Sequence, residues 1–301
     1  MKIVDHSLQT ILILSDGKKG HLNQSFALAK ALCLGDSSKM ATLEVANKSL
    51  IKVIKEVAQY VKLNSLSYII AAGRKTHLSL ILCRLMFSVK TIVLMTPQYP
   101  LSLFDWCVIP EHDGVKNKHN VIHTVGTLND FRPVDSSNGD YDLVLVGGCS
   151  KEFSWNDQSV FNQIMRIREL TSSNVIVSGS RRTPTSFLDF FKGKNFSSME
   201  CLAVDELGPN WYSDHLLAAR RVWVTMDSVN MIYEALSAGK FVGVIELPVV
   251  KKGRVFRGFK GLLDRNWIRP LSQLNTDKAY LNIVLPELRE AKRVAEIILN
   301  G

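Results

Sequence analysis

The segment Val222–Glu246, VWVTMDSVNMIYEALSAGKFVGVIE, constrains the fold of this chain more than any other stretch. A short apolar run, Val222 to Val224, ends in Thr225-Met226-Asp227-Ser228. A helical pattern follows and stops at Gly239, and a second buried run, Phe241 to Ile245, begins at once. Strand, tight turn, helix, glycine stop and strand make one βαβ unit with parallel strands. Ligands of such units bind at the carboxyl ends of strands, where helix N-termini point. Asp227 is the expected N-cap and Ser228 lies in the first turn, so the helix start offers a place for a phosphate. Glu234 lies about 10 Å farther along the axis. That is roughly the reach from a nucleotide's phosphate to its ribose, and a carboxylate accepts both hydrogen bonds of a vicinal diol. The alternative for Glu234 is a surface glutamate paired with a lysine.

Similar units fill the rest of the chain. Strands are expected at Thr10–Ser15, Ala41–Val45, Ser67–Ala72, Thr91–Met95, Trp106–Ile109 and Val121–Thr124, with helices at Asn23–Leu34, Leu50–Val61 and Thr76–Phe87. The polar stretch Arg132–Asp140 reads as a linker. The pattern then restarts: strands Tyr141–Val146, Asn174–Ser178 and Met199–Val204 alternate with helices Gln158–Leu170, Ser186–Phe191 and Tyr212–Ala219. Val255–Leu263 and Pro286–Leu299 read as the last helices. Short connections between alternating elements argue for parallel sheets. The expected plan is α/β: a Rossmann-like domain over residues 1–135, a second over 136–285, and a terminal helix over 286–301. Two such domains facing each other leave a cleft, the usual place for a ligand.

Composition narrows the partners. Hydrophobic residues are 46% and charged residues 22% of the 301, enough apolar material for two cores. No apolar run reaches the roughly 20 residues of a membrane-spanning helix, and the N-terminus reads as a first strand, not a signal peptide. The five cysteines, Cys33, Cys83, Cys107, Cys149 and Cys201, are scattered and odd in number, which fits a reduced cytoplasmic compartment. A net charge of +9 favours acidic partners, either phosphates or an anionic membrane face, unless it is only a solvated basic surface. Its basic residues cluster near predicted turns, as at Arg181-Arg182, Arg220-Arg221 and Lys251-Lys252. No aromatic-interleaved basic stripe suggests nucleic acid, and no recurrent spacing of His, Cys or acidic residues suggests a metal.

Two further motifs sit at strand ends. Asp16-Gly17-Lys18-Lys19-Gly20-His21 follows the first strand. Gly17 and Gly20 would let backbone approach a ligand, or simply make a tight turn. His21 is a candidate general base or a helix cap. Asn23 and Gln24 are candidates for binding hydroxyls or for starting the helix. Ser178-Gly179-Ser180-Arg181-Arg182-Thr183-Pro184 joins a glycine turn, two arginines suited to phosphate, and an expected N-cap at Thr183 with Pro184 in the first helical position. Arg74, Thr96 and Gln98 follow other strands of the first half and would share the rim with His21. Met86, Met95 and Phe104 are assigned to the core.

These residues resemble a known family. DGKKGHLNQ (Asp16–Gln24), GRKT (Gly73–Thr76), Thr96–Gln98, SGSRRTP (Ser178–Pro184), VTMDSVNMIYEALSAGK (Val224–Lys240) and Phe256–Arg269 look like the bacterial branch of the mitochondrial-fission "elongated mitochondria" family, in the same order from about residue 10 to the end. The Gly-His loop and the Glu-Ala-x-x-x-Gly helix are also similar to the lipid-linked N-acetylglucosamine transferase of cell-wall synthesis. The resemblance implies a GT-B fold. It implies donor binding in the C-terminal half through Ser180, Arg181, Ser228 and Glu234, with Arg182 and Asp227 beside them, and acceptor binding in the N-terminal half. It also allows the last helix to cross back onto that half, and implies no bound metal or cofactor. Plant relatives act in organelle division, but no mitochondrial targeting segment is expected here.

The expected function is transfer of a sugar from a nucleotide-sugar donor to a cell-envelope glycan or lipid-linked acceptor such as lipopolysaccharide. The enzyme would work in the cytoplasm or on the inner face of the membrane. The rival readings are a non-catalytic adaptor of the same fold and a sugar-nucleotide epimerase.

Overall fold

The structure is a computed structural model that describes residues 9–63, 65–134, 139–171, 173–194, 199–274 and 286–301. The chain divides into two compact units, Met1–Asp130 with Arg289–Gly301, and Phe131–Leu288. Residues 135–138 of the expected linker lie outside the described residues.

In the first unit the elements run β1 (Ile11–Ser15), α1 (Lys19–Leu32), β2 (Met40–Glu44), α2 (Leu50–Leu63), β3 (Tyr68–Ala72), α3 (His77–Met86), β4 (Lys90–Leu94), β5 (Trp106–Pro110) and β6 (Val121–Thr124). The six strands are parallel in the order β2-β1-β3-β4-β5-β6. Both faces of the sheet are covered, which is why its strands read as unbroken apolar runs. Alternation sorts them: Ile11 and Ile13 face α1, while Leu12 and Leu14 face α2 and α3. The terminal helix, labelled α9 (Glu290–Asn300), belongs to this unit and buries Val294 and Ile298 beside α1. Glu290 accepts the Val125 N–H at 2.8 Å, and Arg293 donates to the His123 carbonyl. The helix starts at Glu290, later than the expected Pro286.

The second unit comprises β7 (Tyr141–Leu145), α4 (Asp157–Leu170), β8 (Asn174–Ser178), α5 (Thr185–Lys192), β9 (Met199–Leu202), α6 (Trp211–Ala218), β10 (Arg221–Thr225), α7 (Val229–Ser237), β11 (Phe241–Ile245), α8 (Arg254–Asp264) and β12 (Arg269–Pro270). Its sheet is also parallel, in the order β12-β11-β10-β7-β8-β9. Arg221 does not belong to the basic surface. It is buried in register with Asp142, which accepts from its Nε at 3.0 Å and from Trp223 Nε1 at 3.0 Å. Lys240 is buried too and donates to the Leu217 and Ala219 carbonyls; burial lowers its pKa to about 8.

The order of strands fixes where a ligand can sit. In the first sheet, β2 and β3 lie on opposite sides of β1, so the chain reverses direction across the sheet beside β1. In the second the reversal falls between β7 and β10. Loops diverge at such a switch point and leave a crevice outside the carboxyl ends of the strands.

Candidate functional site

At the switch point of the first unit, Asp16 follows β1 and is buried, while His21 lies in the first turn of α1. The helix begins at Lys19, four residues before the expected Asn23, so Gly20 and His21 are helical rather than loop residues, and Asn23 and Gln24 lie within the helix they were expected to start. This turn brings the His21 ring back to Asp16, with Nδ1 at 3.0 Å from Oδ2 and 3.1 Å from Oδ1. Asp16 Oδ1 also accepts the Lys18 N–H at 3.2 Å. A carboxylate on Nδ1 fixes the tautomer with the proton there, and so makes Nε2 the basic nitrogen. The side chain of Asp16 is 2% exposed and that of His21 23%, so the acid is sealed and the imidazole edge meets solvent.

Gly73, at the end of neighbouring β3, closes over this pair. Its φ is +93°, and a Cβ there would stand 2.4 Å from Asp16 Oδ2 and 2.5 Å from His21 Nδ1. Only glycine fits. Arg74 and Lys75 follow on an exposed 3-10 turn. His77 beyond them is buried edge-on against Tyr99 and Phe104, and its pKa is lowered, first by burial and then by the charges of Arg74 and His21. Thr96 and Gln98 are exposed after β4, with the Thr96 hydroxyl donating to Asp113 at 2.7 Å. Gln24 is buried and donates back to the Gly20 carbonyl at 3.2 Å, so its amide supports the helix. Asn23 is exposed, Gly17 has φ +81°, and a Cβ on Gly20 would meet open space.

At the switch point of the second unit three loops meet, from the ends of β8, β7 and β10. Asp227 is buried, and its Oδ2 lies 2.8 Å from Arg182 Nη1 and accepts the Gly148 N–H at 3.1 Å. Arg182 Nη2 donates to Ser228 Oγ at 2.8 Å. Asp227 Oδ1 is buried with no hydrogen-bond partner among the described residues. The expected caps shift by one residue each. Ser228 is the N-cap of α7 and Pro184 that of α5, neither with a side-chain cap. Asp227 and Thr183 are drawn away by tertiary partners. Thr183 Oγ1 accepts the Ser180 N–H at 2.7 Å and donates to the Val146 and Gly147 carbonyls, while Ser180 Oγ donates to the Gly147 carbonyl at 2.7 Å. Arg181 is exposed and makes no hydrogen bond or ion pair among the described residues.

Glu234 is not the surface glutamate of the alternative reading. It is half-buried in the second turn of α7, and the Tyr212 hydroxyl of α6 donates to its Oε2. Burial raises its pKa to about 7, against a lowering by the Tyr212 bond. Tyr212 is pushed well above its usual range by burial and by the Glu234 charge, and packs edge-on against Phe131.

Three contributors escaped the sequence reading. Asp16 was visible five residues before His21, but the earlier helix start is what joins them. Gly147-Gly148, one residue after β7, carried the same signal as Gly17, one residue after β1. A Cβ on Gly148 would stand 1.9 Å from the Arg182 carbonyl oxygen, and one on Gly147 2.1 Å from Ser228 Oγ. Tyr212 had no sequence signal. No cluster of three or more His, Cys, Asp or Glu side chains suited to a metal occurs among the described residues.

The family model described as Mitochondrial fission ELM1 matches residues 19–301. An uncharacterized protein of Rickettsia prowazekii (strain Madrid E) is 24% identical, over 96% of this chain and 97% of its own length. Among solved structures, the glycotransferase of kitacinnamycin superposes with a TM-score of 0.55 at 12% identity, covering 98% of this chain and 99% of that one. The UDP-GlcNAc 2-epimerase from Neisseria meningitidis bound to UDP-GlcNAc superposes with a TM-score of 0.51 at 10% identity, covering 97% and 100%. These likenesses show a GT-B-like fold of two Rossmann-like units with parallel sheets.

Proposed function

This chain belongs to the mitochondrial fission ELM1 family, and on that premise we propose that it transfers a sugar from a nucleotide-sugar donor to a glycan or lipid-linked acceptor. The observation that carries the reading is the Asp16–His21 pair at the β1/β3 switch point, a buried acid holding an imidazole with Nε2 left to act. A pair so arranged suits removal of a proton from an attacking hydroxyl as the glycosidic bond forms.

The donor half of the reading rests on the second unit. The N-terminal turn of α7 and Arg181 would receive the diphosphate, and would stabilise it as it leaves with the electron pair of the broken anomeric bond. Glu234 would accept hydrogen bonds from the ribose diol, with Tyr212 fixing the carboxylate's orientation. Ser180 and Thr183 would act indirectly, by locking the arginine loop to the Gly147 carbonyl. Arg182 and Asp227 would join the site by setting the position of Ser228. In this reading Arg74, Thr96 and Gln98 meet the acceptor, and no metal or cofactor takes part.

A second reading, epimerisation of the sugar nucleotide, is kept because of the likeness to the Neisseria epimerase. Incubation with a panel of nucleotide sugars, with and without a lipid-linked acceptor, separates the two. Transfer releases the nucleoside diphosphate only when acceptor is present. Conversion of the donor without acceptor would establish the epimerase, and no turnover of any donor under either condition would overturn both.

A further inference from the structure

The helix α3 is apolar on both sides. Its ten residues, HLSLILCRLM, carry one permanent charge, Arg84, which pairs with Asp105 at 2.9 Å. Leu80, Ile81 and Cys83 are buried against the sheet. On the outer side Leu78 is 43% exposed, Leu85 72% and Met86 59%; Met86 therefore leaves the core to which the sequence assigned it. A helix that is hydrophobic all round ordinarily lies under another layer.

Its neighbour α2, packed beside it, adds Ile51 at 71% and Leu63 at 82%. These two helices thus hold five of the eleven exposed large hydrophobic side chains among the described residues. Leu78, Leu85 and Met86 share the outer side of one ten-residue helix, and an exposed apolar side of this kind marks an interaction surface.

The charges say what covers it. Lys52, Lys55 and Lys62 on α2 and Lys75 ahead of α3 are exposed and make no ion pair among the described residues. The one acid of α2, Glu56, is already paired with Lys48 at 2.5 Å. A protein partner of ordinary composition would not need an apolar face flanked by four unpaired lysines. A bilayer surface does, because its anionic headgroups meet the lysines while the leucines enter the acyl boundary. No helix among the described residues is long and apolar enough to cross a membrane, so the face would lie on it.

We propose that the outer face of α2 and α3 docks on an anionic lipid bilayer. Placement gives the docking a use. The start of α3 follows directly from Gly73–Thr76, and Gly73 lies against the Asp16–His21 pair, so the same surface would bring the proposed base to a lipid-linked hydroxyl. That use rests on the glycosyltransferase reading; the docking itself does not.

Co-sedimentation of the full chain with vesicles tests it, without nucleotide sugar or acceptor. The protein binds vesicles of phosphatidylcholine mixed with phosphatidylglycerol, and binds pure phosphatidylcholine more weakly. Leu85→Asp with Met86→Asp lowers binding about ten-fold or more, and Lys75→Glu with Lys55→Glu by a few-fold, more at low salt. Both pairs are exposed, and thermal melts of the variants verify folding. Wild-type protein that ignores anionic vesicles, or binding unchanged by the Leu85/Met86 pair, overturns the proposal. So does a wild-type dimer that this pair converts to a monomer, since the face would then belong to a second copy. Nucleotide-sugar binding measured on the same samples keeps a failure of docking distinct from a failure of the glycosyltransferase reading.

Discussion

At the β1/β3 rim a buried carboxylate holds an imidazole and leaves one ring nitrogen to act, whereas at the β7/β10 rim a buried carboxylate and a serine occupy both terminal nitrogens of a guanidinium. Both rims place an acid at the end of the strand where the sheet order reverses, and both use a glycine to let a second strand end close over it. The outcome depends on the acid's partner. An imidazole held by one nitrogen leaves the other available for proton transfer. A paired guanidinium is spent on structure, which leaves Arg181 and the α7 helix start as the candidate anion ligands. Adjacent arginines in one turn thus have opposite fates, one without a partner among the described residues and one latched.

The difference can be broken experimentally. The largest effect is expected for His21→Ala, which should lower transfer about 10²–10⁴-fold while leaving nucleotide-sugar affinity within about two-fold; kinetics and calorimetric titration together check it. The arginine pair comes next. Arg182→Ala leaves buried Asp227 without its cation and should cost about 1–3 kcal/mol of stability, read by denaturant unfolding. Arg181→Ala should leave stability unchanged and weaken donor binding about ten-fold, the loss of one charge-assisted contact. Equal effects of the two variants would erase the distinction drawn between them.

Glu234 sharpens the comparison through pH. Its carboxyl ionises at about 7 in the folded protein against 4.5 ordinarily, because burial disfavours the charge. The folded state therefore holds the proton over a range where the unfolded state has lost it. The resulting stability is full below about 4.5 and disappears as pH rises through about 7. Glu234→Gln should flatten that dependence and raise the melting temperature at pH above about 7, while weakening nucleotide binding. The smallest effect is expected from Tyr212→Phe. Removing the bond that lowers Glu234's pKa should move the pH midpoint of nucleotide binding upward, with little change in stability. Melting curves and titrations across pH read both variants.

The alternation of strands and helices was legible because strands covered on both faces must be apolar throughout, as Ile11–Leu14 and Val222–Val224 are. The clusters were legible as loops, through the polar and glycine residues that end those strands. Their wiring was not. Asp227 and Thr183 look like caps in sequence, yet the arginine loop and the β7 carbonyls recruit them away. Glu234 reads in sequence as a ribose ligand or a surface glutamate, and nothing local reveals that Tyr212 arrives from another helix to hold it. Met86 continues an apolar helix pattern, and nothing local reveals that its side of α3 faces outward. Each miss is a tertiary contact overriding a local preference.

The central claim, a donor site in the second unit and a base in the first, is tested most directly by calorimetric titration of a nucleotide-sugar panel into the wild type and three variants. At least one nucleotide sugar should bind the wild type saturably, with binding kept in His21→Ala and lost or strongly weakened in Glu234→Ala and Arg181→Ala. No binding of any nucleotide sugar at millimolar concentration, or binding lost in His21→Ala and kept in Glu234→Ala, would contradict it.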